Sequence, residues 1–203
     1  MNIHIEGNIG AGKSTFLRFI EKALDVNVSQ EPVDEWMDTN GTNLLEKFYN
    51  DIDRWSFAFQ MNCFITRAHN VDKLPSEGIN MIERSILSDR IFAMNCYRSG
   101  NMEKVEFDIY TRWSNWLRDR LCKKIDAIIY LKAKPETCHA RISKRARKSE
   151  DLIPIGYLRE LHDLHEEWLM SPDNKIPVYI VDTDNTTYSE ETAENIMSWI
   201  KNL

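Results

Sequence analysis

The sequence predicts an α/β fold, a doubly wound five-stranded parallel sheet with helices on both faces. Two observations carry the prediction. Five short β-rich runs alternate with longer helical stretches, and no repeat, low-complexity tract or Pro/Gly-rich linker interrupts them. A glycine-rich loop lies between the first run and the first helix, where an open parallel sheet places its ligand crevice. The 203 residues are of one domain's length, and the chain is read as a single domain over 1–203.

In chain order, the first strand is Asn2 to Ile5, and the helix after the glycine loop runs from Lys13 to Leu24. The second strand, Val26 to Ser29, is followed by helices over Asn43 to Asn50 and Arg54 to Asn70. Ile79 to Ile82 forms the third strand, with helices from Asp89 to Tyr97 and Glu103 to Lys124 behind it. Ala127 to Leu131 is the fourth strand, leading to helices Glu136 to Lys148 and Ile155 to Met170. Val178 to Val181 is the fifth, and the last helix, Glu190 to Asn202, starts behind Ser189, a residue type that caps helix N-termini.

Composition narrows the function. Against 26 Lys and Arg stand 32 Asp and Glu, a net charge of -6 that argues against coating nucleic acid, which needs a basic footprint. The longest apolar run, Ala127 to Leu131, falls far short of the roughly 18 residues that cross a bilayer, so no membrane partner is expected. The N-terminus has neither the basic nor the apolar region of a secretory signal. Cys63, Cys96, Cys122 and Cys138 are scattered without a paired spacing, as suits free thiols in a reducing cytoplasm.

Gly7-Asn8-Ile9-Gly10-Ala11-Gly12-Lys13-Ser14 fits the phosphate-binding pattern G-x-x-x-x-G-K-[ST] between a strand and a helix. Backbone N–H groups of such a loop curl around phosphate, Lys13 reaches the outer phosphates, and Ser14, with Thr15 beside it, can serve the metal and phosphate oxygens. Glu31 follows the second strand, where a carboxylate can accept a hydroxyl proton or sit as a solvated loop acid. Glu83 and Arg84 end the third strand. Glu83 can hold Mg²⁺ through water and Arg84 can stabilise a moving phosphoryl group, the alternative being a surface ion pair. The basic run Arg141, Lys144, Arg145, Arg147, Lys148 admits three readings: a solvated helix face, a nucleic-acid or nuclear-import patch, or a phosphate lid. His162, His165 and Glu166 lack the further ligand that a metal site needs.

Together with Glu31-Pro32-Val33, Trp55-Ser56-Phe57-Ala58-Phe59-Gln60, Glu83-Arg84-Ser85 and Arg141 through Glu150, the glycine loop resembles the deoxyribonucleoside kinase family. The resemblance runs from Asn2 to about Leu169 and implies a P-loop kinase with a helical lid, here about 141–153. It implies ATP- and Mg²⁺-dependent phosphorylation of a deoxynucleoside 5′-hydroxyl. In that frame Glu31 is the base, Lys13, Arg84, Arg145 and Arg147 stabilise charge, and Gly7 to Thr15 with Arg141 and Arg145 bind ATP. Gln60 reads the nucleobase edge between Trp36, Phe59 and Phe92, although aromatic statistics alone favour core packing for these three. Tyr49 and Glu150 match positions that bind the 3′-hydroxyl, with Asp151 an alternative to Glu150. Arg67 and Asp89 stand where members accepting deoxycytidine and purine deoxynucleosides carry Arg and Asp, which implies deoxyadenosine, deoxyguanosine or deoxycytidine. Relatives form homodimers, and Trp113, Trp116, Leu117 and Leu121 give one helix more apolar surface than a single core face needs. The rival readings are a nucleoside monophosphate kinase of the thymidylate kinase type and a non-catalytic nucleotide sensor.

Overall fold

A computed structural model describes residues 1–121, 124–145, 153–185 and 187–203. Five parallel strands form one sheet: β1 (Asn2–Glu6), β2 (Asn27–Ser29), β3 (Asn80–Glu83), β4 (Ala127–Lys132) and β5 (Val178–Asp182). Their order is β2-β3-β1-β4-β5, with Ile5 opposite Glu83 on one side and Ile129 on the other. The chain leaves β1 for β2 on one side of the sheet and leaves β3 for β4 on the other. The carboxyl ends of β1 and β3 therefore form the switch point where a crevice opens.

The described helices are α1 (Lys13–Ala23), α2 (Val33–Met37), α3 (Leu44–Asn50), α4 (Ile52–Asp72), α5 (Ile86–Arg98), α6 (Lys104–Leu121), α7 (Pro135–Arg145), α8 (Ile155–Leu169) and α9 (Glu190–Lys201). Alternation along β1 divides its side chains between two environments. Ile3 and Ile5 join Phe16, Leu17 and Ile20 of α1 and Ile196 and Ile200 of α9 in one apolar core. His4 and Glu6, equally buried, face the other way. A second core joins α2 to α6, with Phe48 stacked on Phe59 at 4.5 Å and Phe64 edge-on to Tyr110. It supports the wall of the crevice.

Boundaries differ from the sequence expectation where caps outrank periodicity. α4 starts at Ile52 because Asp51 accepts the Arg54 N–H at 3.2 Å. α5 starts at Ile86, three residues before the expected Asp89, because Ser85 and Ser88 form a reciprocal capping box. The short α2 has no counterpart in the sequence reading; five residues are too few for a helical period to show.

Candidate active site

The glycine loop is wedged between β4 and α7. A Cβ on Gly7 would stand 2.6 Å from the Leu131 carbonyl, and one on Gly10 2.5 Å from that of Cys138, so both positions require glycine. Lys13 turns back across the loop, its Nζ donating to the Asn8 carbonyl at 2.9 Å and the Gly7 carbonyl at 3.3 Å. Burial, reinforced by the charge of Arg84, lowers the Lys13 ammonium to about 8. Asn8 serves the scaffold with its side chain, donating to the Leu158 carbonyl of α8 at 2.7 Å and accepting the Ile9 N–H at 2.8 Å. Ala11 is buried and offers its carbonyl to Arg141 and Thr183, while Thr15 accepts from Arg18 at the surface.

Beside Lys13 a chain of charged groups crosses the carboxyl ends of the strands. Ser14 Oγ donates to Glu83 at 3.1 and 3.2 Å. Arg67, on α4, is the hub: Nη2 meets Glu31 at 2.7 Å, Nε meets Asp89 at 2.8 Å, and Nη1 donates to the Glu83 carbonyl at 3.2 Å. Arg84 reaches the same Glu31 oxygen at 3.4 Å and lies over the Phe92 ring at 4.6 Å. Burial pushes Glu31 upward, but Arg67, then Arg84 and Lys13, outweigh it and hold the carboxyl at about 2. Asp89 shares Arg67 yet is raised from its ordinary value, burial being the larger influence. Arg84 has φ 61°, a left-handed backbone that costs a non-glycine residue about 1–2 kcal/mol.

From Glu31 the cavity continues into an aromatic pocket. Trp36 meets Phe59 edge to face at 5.8 Å, and its indole N–H is fixed on Thr66 at 2.9 Å. Tyr49, Gln60 and Phe92 line the same cavity as Arg67, Asp89 and Arg84. The aromatics expected either to pack or to enclose a ligand pack against the cores and also line this cavity. Phe48, Cys63 and Tyr157 add to the wall. The first and last carried no ligand signal of their own in the sequence and enter through packing against Phe59 and from α8.

On the other side of Lys13 a second groove runs over the glycine loop, bounded by Arg141, Lys144, Arg145, Thr183 and Tyr188. Lys13, Ser14, Glu83 and Arg145 line both cavities, so the phosphate loop is where they meet. Arg141 is braced, donating to the Thr183 carbonyl at 2.5 Å and the Ala11 carbonyl at 3.4 Å. Arg147, Glu150 and Asp151, with most of the expected lid, lie outside the described residues. Of the residues weighed for a metal site, His165 is buried beside Tyr130 and Phe92, and Glu166 is taken by Tyr130 and Lys132, each at 2.6 Å.

A phosphate cradle opening one way to a basic groove and the other way to a planar, aromatic-walled pocket defines a P-loop phosphotransferase with two substrates. The deoxynucleoside kinase family model matches residues 3–203. Human mitochondrial thymidine kinase 2 is 38% identical over 90% of this chain and 71% of its own length. A probable deoxycytidine kinase of fowlpox virus is 38% identical over 99% and 88%, and human deoxycytidine kinase 38% over 83% and 75%. The chain belongs to the deoxynucleoside kinase family and phosphorylates deoxynucleosides with ATP as donor. Among the described residues no helix is long and apolar enough to cross a membrane.

Proposed function

We propose that the enzyme transfers the γ-phosphoryl group of ATP to the 5′-hydroxyl of deoxycytidine, deoxyadenosine or deoxyguanosine. The observation that carries this choice is Arg67 bound at once to Glu31 and Asp89. Asp89, fixed in the pocket wall, offers an acceptor to an exocyclic amino group, a donor that thymine lacks. Gln60 would bond the base edge, Trp36, Phe59 and Phe92 enclose its faces, and Tyr49, with Glu150, take the 3′-hydroxyl. Identity does not make the choice, since the thymidine kinase and the deoxycytidine kinases are equally similar.

Glu31 would accept the hydrogen bond of the 5′-hydroxyl and orient it toward the phosphate. At about 2 it is a weak base, which suits a loose transition state in which the hydroxyl loses its proton late. Lys13 and Arg84 would stabilise charge on the transferring group, with Arg145 and Arg147 from the lid, and Gly7 to Thr15 with Arg141 would hold the donor phosphates. The Ser14 hydroxyl and Glu83 carboxylate, already in contact, form the hard oxygen set that suits Mg²⁺. Held there, Mg²⁺ would supply positive charge to neutralise the donor phosphates.

The proposal includes a cytoplasmic homodimer without nucleic-acid or membrane partners. Supporting it are the acidic net charge, the buried free thiols Cys63, Cys96 and Cys138, and an exposed apolar stripe on α6. The test is transfer from labelled ATP with Mg²⁺ to the four deoxynucleosides, their ribose counterparts and thymidylate. Preference for deoxycytidine, deoxyadenosine or deoxyguanosine is expected. Preference for thymidine would refute the role given to Asp89, and transfer only to thymidylate would refute that of Glu31.

A further inference from the structure

Two buried side chains of β1 line neither of the cavities that meet at the phosphate loop. Glu6 is fully buried; its Oε1 accepts the Ser85 N–H at 2.8 Å, and its Oε2 has no hydrogen-bond partner among the described residues. His4, two residues earlier and so on the same face of the strand, places Nδ1 3.0 Å from the Arg84 carbonyl. A carbonyl only accepts, so Nδ1 carries the proton and the ring is in one tautomer. These two contacts grip the Arg84–Ser85 peptide at both polar ends. The Arg84 N–H is already held by the Ile5 carbonyl at 2.9 Å. The Arg84 N–H, the Arg84 carbonyl and the Ser85 N–H are therefore all bound by the same strand that launches the phosphate loop.

We propose that Glu6 and His4 are positioning residues that hold the Arg84 backbone in its left-handed conformation and so aim its guanidinium at the transferring phosphate. The arrangement explains why a carboxyl is kept in an apolar strand interior. Burial pushes it up, and the nearby charge of Arg84 is the largest influence pulling it back. A side chain with no acceptor at position 6 would leave the Ser85 N–H to Ser88 Oγ alone, at 3.3 Å, and would let the peptide turn. Arg84 would then keep its charge and lose its aim. Arg84 Nη1, buried and without a partner among the described residues, is the donor this aim would serve.

The inference rests on the role proposed for Arg84, and a double-mutant cycle separates the two. Glu6→Leu, Arg84→Ala and the double variant are compared in kcat and in nucleoside KM, with melting temperature followed in parallel. Glu6→Leu is expected to lower kcat by about thirtyfold, as for a misplaced catalytic group, with KM little changed. Glu6→Gln, which keeps the acceptor, restores most of it. In the Arg84→Ala background Glu6→Leu should cost nothing further in kcat, because its effect passes through Arg84. If the two losses multiply, Glu6 acts independently and the inference falls while the role of Arg84 stands. If Arg84→Ala alone turns over at the wild-type rate, the role of Arg84 falls and the inference with it. Should Glu6→Leu fail to fold, His4→Phe, which keeps an aromatic ring but removes the Nδ1–H donor, runs the same cycle and is read in the same way.

Discussion

Replacing Glu31 by Gln tests the chemistry at its centre. The change keeps the shape and one acceptor oxygen for Arg67 but removes the charge that Arg67 and Arg84 meet at 2.7 and 3.4 Å. In the folded chain the carboxyl is lowered from 4.5 to about 2: burial acts to raise it, and Arg67, Arg84 and Lys13 overcome burial. A depressed carboxyl contributes stability that is complete above the unfolded value and is lost as pH falls toward 2. The difference corresponds to about 3 kcal/mol, the order of the stability that Glu31→Gln removes near neutral pH. Turnover should suffer more. Loss of the group that orients the hydroxyl proton lowers kcat by about 10²–10⁴-fold, with nucleoside KM little moved. The assay is ADP release at saturating ATP and Mg²⁺ from pH 5 to 9, with binding of the nucleoside followed separately. Wild-type kcat should show no acid limb in that range, because Glu31 stays ionised throughout it. Turnover of Glu31→Gln within a few-fold of wild type, or a wild-type limb near pH 5 that disappears in the variant, would refute the reasoning.

Lys13, lowered to about 8 by burial in the free enzyme, should lose its proton in mildly alkaline solution. Its kcat/KM for ATP is then expected to fall above about pH 8, while kcat stays level because bound phosphate restores the ammonium; a parallel fall in kcat would contradict this. Gly10→Ala combines φ 79° with a Cβ 2.5 Å from the Cys138 carbonyl, so a loss of about 2–3 kcal/mol, read as a melting point lower by roughly 5–10 °C, should accompany loss of ATP binding. Trp113 and Trp116 are each 48% exposed on α6, and changing both to Glu should convert a dimer to a monomer by light scattering while leaving the melting transition intact. A wild-type monomer would remove the basis for that prediction.

The fold was largely legible because its signals are local. All five strands stand within two residues of their expected positions, since buried parallel strands read as short apolar runs between turns. Lys13, Ser14, Glu31, Glu83 and Arg84 were legible because a parallel sheet brings the ends of β1, β2 and β3 to one crevice whatever their separation in sequence. The grip on Arg84 was not. His4 and Glu6 read as strand residues, and their polar atoms matter only through hydrogen bonds to a peptide about 80 residues away, formed by the register of β1 against β3. Phe48 and Tyr157 were missed for a similar reason, since an aromatic on a helix looks the same in sequence whether its ring ends at a core or a pocket.

Arg67 joins the carboxylate proposed for recognition to the one proposed for catalysis, in a way that constrains change. Its guanidinium is fully committed, to Asp89, to Glu31 and to the Glu83 carbonyl, with a side chain 4% exposed. Removing Arg67 alone leaves the buried Asp89 carboxylate without its cation and Glu31 with only the longer contact to Arg84 at 3.4 Å, and removing Asp89 alone leaves a cation with one carboxylate partner fewer. Breaking a buried pair from one side typically costs about 3–5 kcal/mol, whereas replacing both partners by apolar groups is often close to neutral. Arg67→Leu and Asp89→Ala should therefore each destabilise strongly, and the double variant should be more stable than Arg67→Leu alone, measured by urea unfolding. Arg67→Leu carries a second signature that Asp89→Ala lacks. Without its strongest cationic neighbour Glu31 feels burial more, its carboxyl rises, and an acid limb enters the range of the rate profile. Additive destabilisation across the cycle, or a rate profile unchanged in Arg67→Leu, would mean that the two carboxylates do not share this arginine in solution.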